Sequence, residues 1–327
     1  MTATPKYFDR RSSCPGCESP RHRTLYRTAY SEPPLFPFLK AYYRSGTVSA
    51  DKLVDAFYVL DECSDCSLAF QRFIPSPVFL EEIYDRWLNS GSSPDGEHGY
   101  SEALRRPAQS RDGYELSAAS SVLNRPLSRM RVLDYGMGWA LWARTAHALG
   151  CTTFGFDLSE SRRDYARGHG INVVQLPELA GLDLDFVNSE QVFEHLTNPL
   201  ECAISLANSL RIGGILKIAV PQAPNLEGRL SPPDWHAPRR TSRNLDAVHP
   251  LEHLNCWTPH ALDSLARRVG LEPVHIPLSA YYAFLKESVP RGVQEFRSLA
   301  KGLLRPAYHR FSRNNLYRWF RKVREPR

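Results

Sequence analysis

The chain of 327 residues has no apolar run long enough to span a bilayer, no internal repeat, and a polar rather than signal-like stretch at Met1 to Arg10. These absences argue against an integral membrane protein, a repeat array and an exported protein, and predict a cytoplasmic one. Cysteine is scarce, with seven residues, which excludes a disulfide-stapled mini-scaffold and fits a reducing compartment. The net charge of +6 is modest. Strong polyanion binding would require a more basic surface, or one in which aromatic and basic residues interleave as in a base-stacking site, and that interleaving is missing.

What is present begins with Val132-Leu133-Asp134-Tyr135-Gly136-Met137-Gly138-Trp139-Ala140, a short apolar strand running into a glycine-rich turn. A second strand, Phe154-Gly155-Phe156-Asp157, ends in a carboxylate 23 positions after Asp134. Glycines let a backbone approach a ligand, and an acid ending the second strand takes ribose hydroxyls. A dinucleotide site wants a third glycine three places after the second. Leu141 stands there, and Asp134 would repel a pyrophosphate. A cationic ligand reverses that preference, since a carboxylate attracts it.

Downstream, strands are expected at residues 172–176, 185–188 and 215–220, with helices opening at Asn198-Pro199 and Thr258-Pro259. Gly213-Gly214 marks a turn, and Gly270 closes the last helix. This alternation predicts a doubly wound α/β sheet of Rossmann type. Residues 221–246, rich in Pro and Arg, follow a strand end and are expected to shape an acceptor pocket.

The glycine turn resembles the D-x-G-x-G-x-G loop of class I S-adenosylmethionine (SAM) methyltransferases, with Ala140 in place of the last glycine. The order of later motifs resembles the same family: Glu194-His195, the Pro199 helix, Gly213-Gly214, Val220-Pro221, then Glu252-His253. The resemblance spans residues 131–274. It implies SAM held by Asp134, Gly136, Gly138 and Asp157, with Asp134 acting mainly through loop hydrogen bonds. Methyl transfer to oxygen or carbon needs a base, for which His195 and His253 are the candidates, while Glu190 is expected either to hydrogen-bond the acceptor or to be a solvated loop acid.

Two C-x-x-C pairs, Cys14/Cys17 and Cys63/Cys66, each form a knuckle able to present two thiolates, with 45 residues between them. Together they predict a closed, structural zinc site in a small zinc-ribbon-like module; two unrelated pairs or a redox pair are the alternatives. Cys151, Cys202 and Cys256 read as small buried hydrophobes. A cysteine module before a methyltransferase domain, with residues 61–84, resembles bacterial deoxysugar C-methyltransferases, whose further C-terminal domain has no counterpart here.

The expected organisation is a zinc-binding module at 1–88, a linker or lid at 89–112, a SAM-binding domain at 113–280 and a basic tail at 281–327. From Arg291 onward eleven Lys or Arg face two Glu. Tyr308, Phe311, Leu316, Trp319, Phe320 and Val323 fall on one face at helical spacing, with Arg310, Arg313, Arg318, Arg321 and Lys322 around them. This predicts an amphipathic helix that packs on the domain or lies on the inner face of the membrane. The resulting expectation is a methyltransferase for a small molecule or glycan precursor, nucleotide-sugars included. The rivals are an RNA methyltransferase, with the basic tail gripping phosphates, and a non-catalytic scaffold with a degenerate SAM pocket.

Overall fold

The computed structural model describes residues 6–43, 48–87, 98–239, 241–286, 293–312 and 314–326. The N-terminal part contains β1 (Phe8–Arg10), β2 (His22–Ala29), β3 (Phe57–Cys63), β4 (Ala69–Gln71) and β5 (Phe73–Pro75). The larger part contains β6 (Arg131–Tyr135), β7 (Thr152–Phe156), β8 (Asn172–Val173), β9 (Leu184–Glu190), β10 (Leu210–Pro221), β11 (Asn255–Cys256), β12 (Leu271–Pro273) and β13 (Asn315–Lys322).

Seven strands form the central sheet in the order β12-β13-β10-β9-β6-β7-β8. From β10 to β8 all neighbours are parallel, and β13 runs antiparallel to both β10 and β12. Strands β9 and β10 are buried on both faces over most of their length, with the polar Asp185, Asn188 and Lys217 buried among their apolar residues. Chain order turns back between β6 and β9, so their carboxyl ends frame the crevice in which such sheets bind ligands. Helices open where capping chemistry allows. Thr258 Oγ1 accepts from the Ala261 N–H, and Pro259 follows at the first helical position.

Three expectations change. The predicted tail helix is helical only over Val293–Phe311; residues 315–322 instead form β13. Leu316, Trp319 and Phe320 are buried in the sheet and the Arg318 guanidinium pairs with Asp263, while Tyr308, Phe311 and Val323 of the expected face stay exposed. No helix among the described residues is long and apolar enough to cross a membrane. The expected third strand stops at Val173, because Pro177 redirects the chain into a 3-10 turn at Leu176–Leu179. Of the expected linker, residues 89–97 lie outside the described residues, but residues 98–105 and 111–123 are helical and pack on the helix Leu141–Ala148 that follows the glycine turn.

The N-terminal sheet runs β11-β4-β3-β2, so a strand from the far side of the larger domain completes it. Cys14, Cys63, Cys66 and Phe70 share a core with β9, β10 and Trp257. Cys151 and Cys256 are buried and Cys202 is half-buried.

Candidate active site

The glycine turn leaves β6 at the crevice. Gly136 has φ of +75°, and a Cβ there would stand 2.4 Å from Val192 Cγ2, so both conformation and space demand glycine. Gly138 is also left-handed, and a Cβ on it would meet nothing within 4 Å. Its main chain therefore faces open space, a cradle for a ligand rather than a packing contact. The bulky Met137 fits because Gly155 of β7 has no side chain; a Cβ at Gly155 would lie 2.3 Å from Met137 Sδ.

Ala140 is the departure from the glycine pattern, with φ of +59° just before the helix Leu141–Ala148. A left-handed L-residue costs about 1–2 kcal/mol. We expect Ala140→Gly to raise the urea unfolding free energy by about 1 kcal/mol, once the added backbone entropy of glycine is set against that relief. A lower midpoint would contradict this account of the turn.

Asp134 is buried. Its Oδ2 accepts from the Ala143 N–H at 3.2 Å and its Oδ1 from Asn188 Nδ2 at 2.8 Å. It thus serves the helix N-terminus that Ala140 cannot cap. Burial pushes its carboxyl up to about 7, against the Asn188 bond. Asp157 ends β7, with Oδ2 accepting from Gly138 N–H and Oδ1 from Ser159 N–H, both at 2.9 Å. The carboxylate ties the glycine turn to the loop that follows β7.

A cleft of about 230 Å³ opens above this turn, lined by Tyr100, Arg111, Asp134, Gly136, Trp139 and Glu190 among others. The Tyr100 hydroxyl donates to the Trp139 carbonyl. Below the cleft Lys217 of β10, completely buried, donates to Glu115 Oε1 and Glu190 Oε2, each at 2.9 Å. Arg111 pairs with the other Glu190 oxygen. Burial opposes ionisation of Glu190, but Lys217 and Arg111 hold its carboxyl well below the usual range. Both Glu190 oxygens are already paired with cations, so the residue serves as a charge anchor of the cleft wall.

The structure brings His195 and His253 together, with ring centroids 4.8 Å apart. His195 Nδ1 lies 3.0 Å from the Glu252 carbonyl, and His253 Nδ1 contacts the Asp246 carbonyl. A carbonyl only accepts, so each Nδ1 carries the proton and each Nε2 keeps its lone pair. Burial lowers the pKa of His195 to about 3 and of His253 to about 4, so both rings are neutral at neutral pH. Around them stand three residues the sequence reading passed over. The Tyr84 hydroxyl is 3.2 Å from His195 Nδ1, Glu252 accepts from the Tyr43 hydroxyl at 2.8 Å, and Glu194 is fully buried. Burial pushes Glu252 up to about 7. The two repeated Glu-His dipeptides were the signal for both acids. Tyr84 had only its place in the 61–84 stretch.

Neither Glu194 carboxylate oxygen has a hydrogen-bond partner among the described residues, and burial pushes its carboxyl up to about 8. A folded-state value above the unfolded one means the protonated form is favoured by folding. Stability is then full below the unfolded value and falls as pH rises through about 8. Glu194→Gln should remove that loss. Its unfolding free energy should exceed that of the native chain by on the order of 1–3 kcal/mol in mildly alkaline buffer and converge with it in acid. Parallel pH profiles for the two proteins would contradict the assignment.

Far from the cleft, Cys14 and Cys66 Sγ are 3.6 Å apart and Cys17 and Cys63 Sγ 3.5 Å, with all four sulfurs within 4.8 Å of one another. Thiolates about 2.3 Å from one tetrahedral ion stand about 3.8 Å apart, so the cluster fits such an ion. The two knuckles match: Glu18 N–H returns to the Cys14 carbonyl and Ser67 N–H to the Cys63 carbonyl, with both Glu18 and Ser67 left-handed. Four cysteines close the coordination and leave no open position for substrate.

Residues 108–276 match a family described as a methyltransferase domain, and the chain belongs to that family. It is a SAM-dependent methyltransferase. Among solved structures, the plantazolicin methyltransferase BamL is 17% identical over 69% of this chain and 88% of its own, with a TM-score of 0.45. The Burkholderia thailandensis 1,6-didemethyltoxoflavin-N1-methyltransferase is 18% identical over 80% and 98%, with a TM-score of 0.39. A SAM-dependent methyltransferase from Mesorhizobium loti is 19% identical over 62% and 97%, at 0.38. No curated protein matches the sequence.

Proposed function

We propose that the protein methylates a small hydroxylated molecule or glycan precursor, nucleotide-sugars included, at oxygen or carbon. The observation that carries this reading is the pair of neutral imidazoles, His195 and His253, each with its Nδ1–H fixed on a carbonyl. Main-chain groups at Gly136 and Gly138 would hold the cofactor, and Asp157 its ribose hydroxyls, once released from Gly138 N–H. SAM supplies an electrophilic methyl group. That methyl group would pass from its sulfur to the acceptor oxygen or carbon, and the Nε2 of His195 or His253 would take up the acceptor's proton. Glu190 and Lys217 fix the cleft wall. In this reading the four cysteines hold a structural zinc ion, and the functional regions follow the boundaries near residues 88 and 113, with the region after residue 280 returning to the central sheet through β13.

The chemistry of the wall favours a small acceptor over RNA: Tyr100, Asp112, Asp134 and Glu190 stand there with one guanidinium, Arg111, rather than a basic groove. The test is release of S-adenosylhomocysteine (SAH) on incubation with SAM and a panel of acceptors, nucleotide-sugars first. Turnover should appear with at least one hydroxylated acceptor. His253→Gln should lower it at least about a hundredfold, the usual range for a lost acid–base group, while SAH binding persists. Full turnover in His253→Gln and in His195→Gln would overturn the assignment of the base.

A further inference from the structure

The two histidines hang on two loops, residues 193–197 after β9 and 249–254 before β11. One side chain from the cysteine-bearing segment grips both. Arg11 lies between β1 and Cys14. Its Nη2 donates to the carbonyls of Leu196 at 3.1 Å and Thr197 at 2.7 Å. Its Nη1 donates to the Leu254 carbonyl at 3.1 Å and to Asn255 Oδ1 at 3.0 Å. The acceptors flank His195 on one side and His253 on the other.

Neighbouring groups extend the grip. Asn255 Nδ2 donates to the carbonyls of Phe193 at 3.0 Å and Leu196 at 2.8 Å, and its N–H donates to the Glu194 carbonyl at 3.0 Å. Gln71 of β4 donates to the carbonyls of His249 at 3.2 Å and His253 at 3.1 Å. The Trp257 indole donates to the Phe193 carbonyl at 3.1 Å, and Gly16 of the first knuckle lies against the same ring.

A guanidinium held only by carbonyls and an amide needs negative charge nearby, and no carboxylate is ion-paired with Arg11 among the described residues. Burial lowers its pKa to about 9, and the Cys14 sulfur works against that fall. A divalent ion within four thiolates keeps a net negative charge. That charge stands three residues along the chain from Arg11.

We propose that Arg11 is a positioning residue that couples the four-cysteine centre to His195 and His253, fixing both loops so that each Nδ1–H stays on its carbonyl and each Nε2 stays free. The centre then does more than fold its own segment. The loops it reaches are those that carry the acid–base pair, while the glycine turn and Asp157 lie outside the network. The inference rests on the reading of the histidines as proton carriers. Its test observes the rings themselves, so that either idea can fail alone.

The experiment uses the full-length, metal-loaded chain labelled with ¹⁵N-histidine. Long-range ¹H–¹⁵N spectra report the tautomer of each ring, with His195→Gln and His253→Gln giving the assignments. The wild-type rings should each show the single Nδ1–H tautomer. Arg11→Met should lose that single state at both rings, with metal content and SAH affinity unchanged, and Arg11→Lys should be intermediate. Chelation of the metal from the wild-type chain should produce the same loss with SAH affinity retained. Unchanged ring signals in Arg11→Met, or rings indifferent to chelation, would overturn the coupling. Loss of SAH binding together with the ring signals would overturn it as well, because Arg11 would then support the whole domain.

Discussion

Replacing Lys217 by methionine should cost about 3–5 kcal/mol of stability at neutral pH, the usual penalty for removing one partner of a buried ion pair. Lys217 has no exposed surface and is the cation that Glu115 and Glu190 share. The Trp142 indole N–H also donates to Glu115 at 3.0 Å, and Arg111 still reaches Glu190, so Glu115 would be the more stranded acid. Burial works against ionisation of both acids, but Lys217 holds each carboxyl below its ordinary value. For such depressed groups the stabilisation is present above the unfolded glutamate value, about 4.3, and lost as pH falls through the folded one. The difference between native and Lys217→Met proteins should therefore be largest near neutrality and shrink in acid. Denaturant unfolding of both proteins across that range measures it. Equal stability at neutral pH would show that the triad contributes nothing net.

Asp157→Ala should weaken SAH binding by on the order of a hundredfold. A charged hydrogen-bond acceptor contributes about 1.5–3 kcal/mol, and each 1.4 kcal/mol is tenfold in affinity. The carboxylate already accepts from Gly138 and Ser159 N–H, so the alanine variant loses both the ribose acceptor and the tie between two loops. Asp157→Asn separates these effects, because it keeps one acceptor oxygen and removes the charge. Its affinity should lie between the two. Calorimetric titration with SAH reads all three proteins. An alanine variant that binds as tightly as the native chain would place the ribose elsewhere.

How much of this was legible in the sequence depended on how local each constraint is. Gly136 is dictated by its own φ and by one neighbour, Val192, and a glycine pattern records such a demand directly. The ends of β6 and β7 carry their acids in the primary structure. The cysteine pairs announce themselves because each knuckle is built within five residues. The tail misled because the spacing of Leu316, Trp319 and Phe320 fits a helix as readily as a strand buried on both faces. Its true partners are β10 and β12, distant in the chain. Nothing local could reveal that Lys217 meets Glu115, 102 residues away, or that Arg11 reaches Asn255, 244 residues away. The charge-anchoring role of Glu190 escapes the sequence for the same reason: its two cations come from residues 111 and 217.

The division between the parts is likewise a matter of contact rather than sequence. Residues 255–256 lie far beyond the cysteine pairs, yet they pair with β4 and complete its sheet. The same sheet edge carries Asn255, whose amide holds the His195 loop.

The central claim is that the crevice between β6 and β9 binds the methyl donor, with its ribose on Asp157. A crystal structure of the metal-loaded protein with SAH tests it most directly. The homocysteine portion should lie in the cleft beside Gly136, Trp139 and Glu190, with the ribose hydroxyls on the Asp157 carboxylate. SAH bound elsewhere on the chain, or that crevice left empty at saturating SAH, would contradict it.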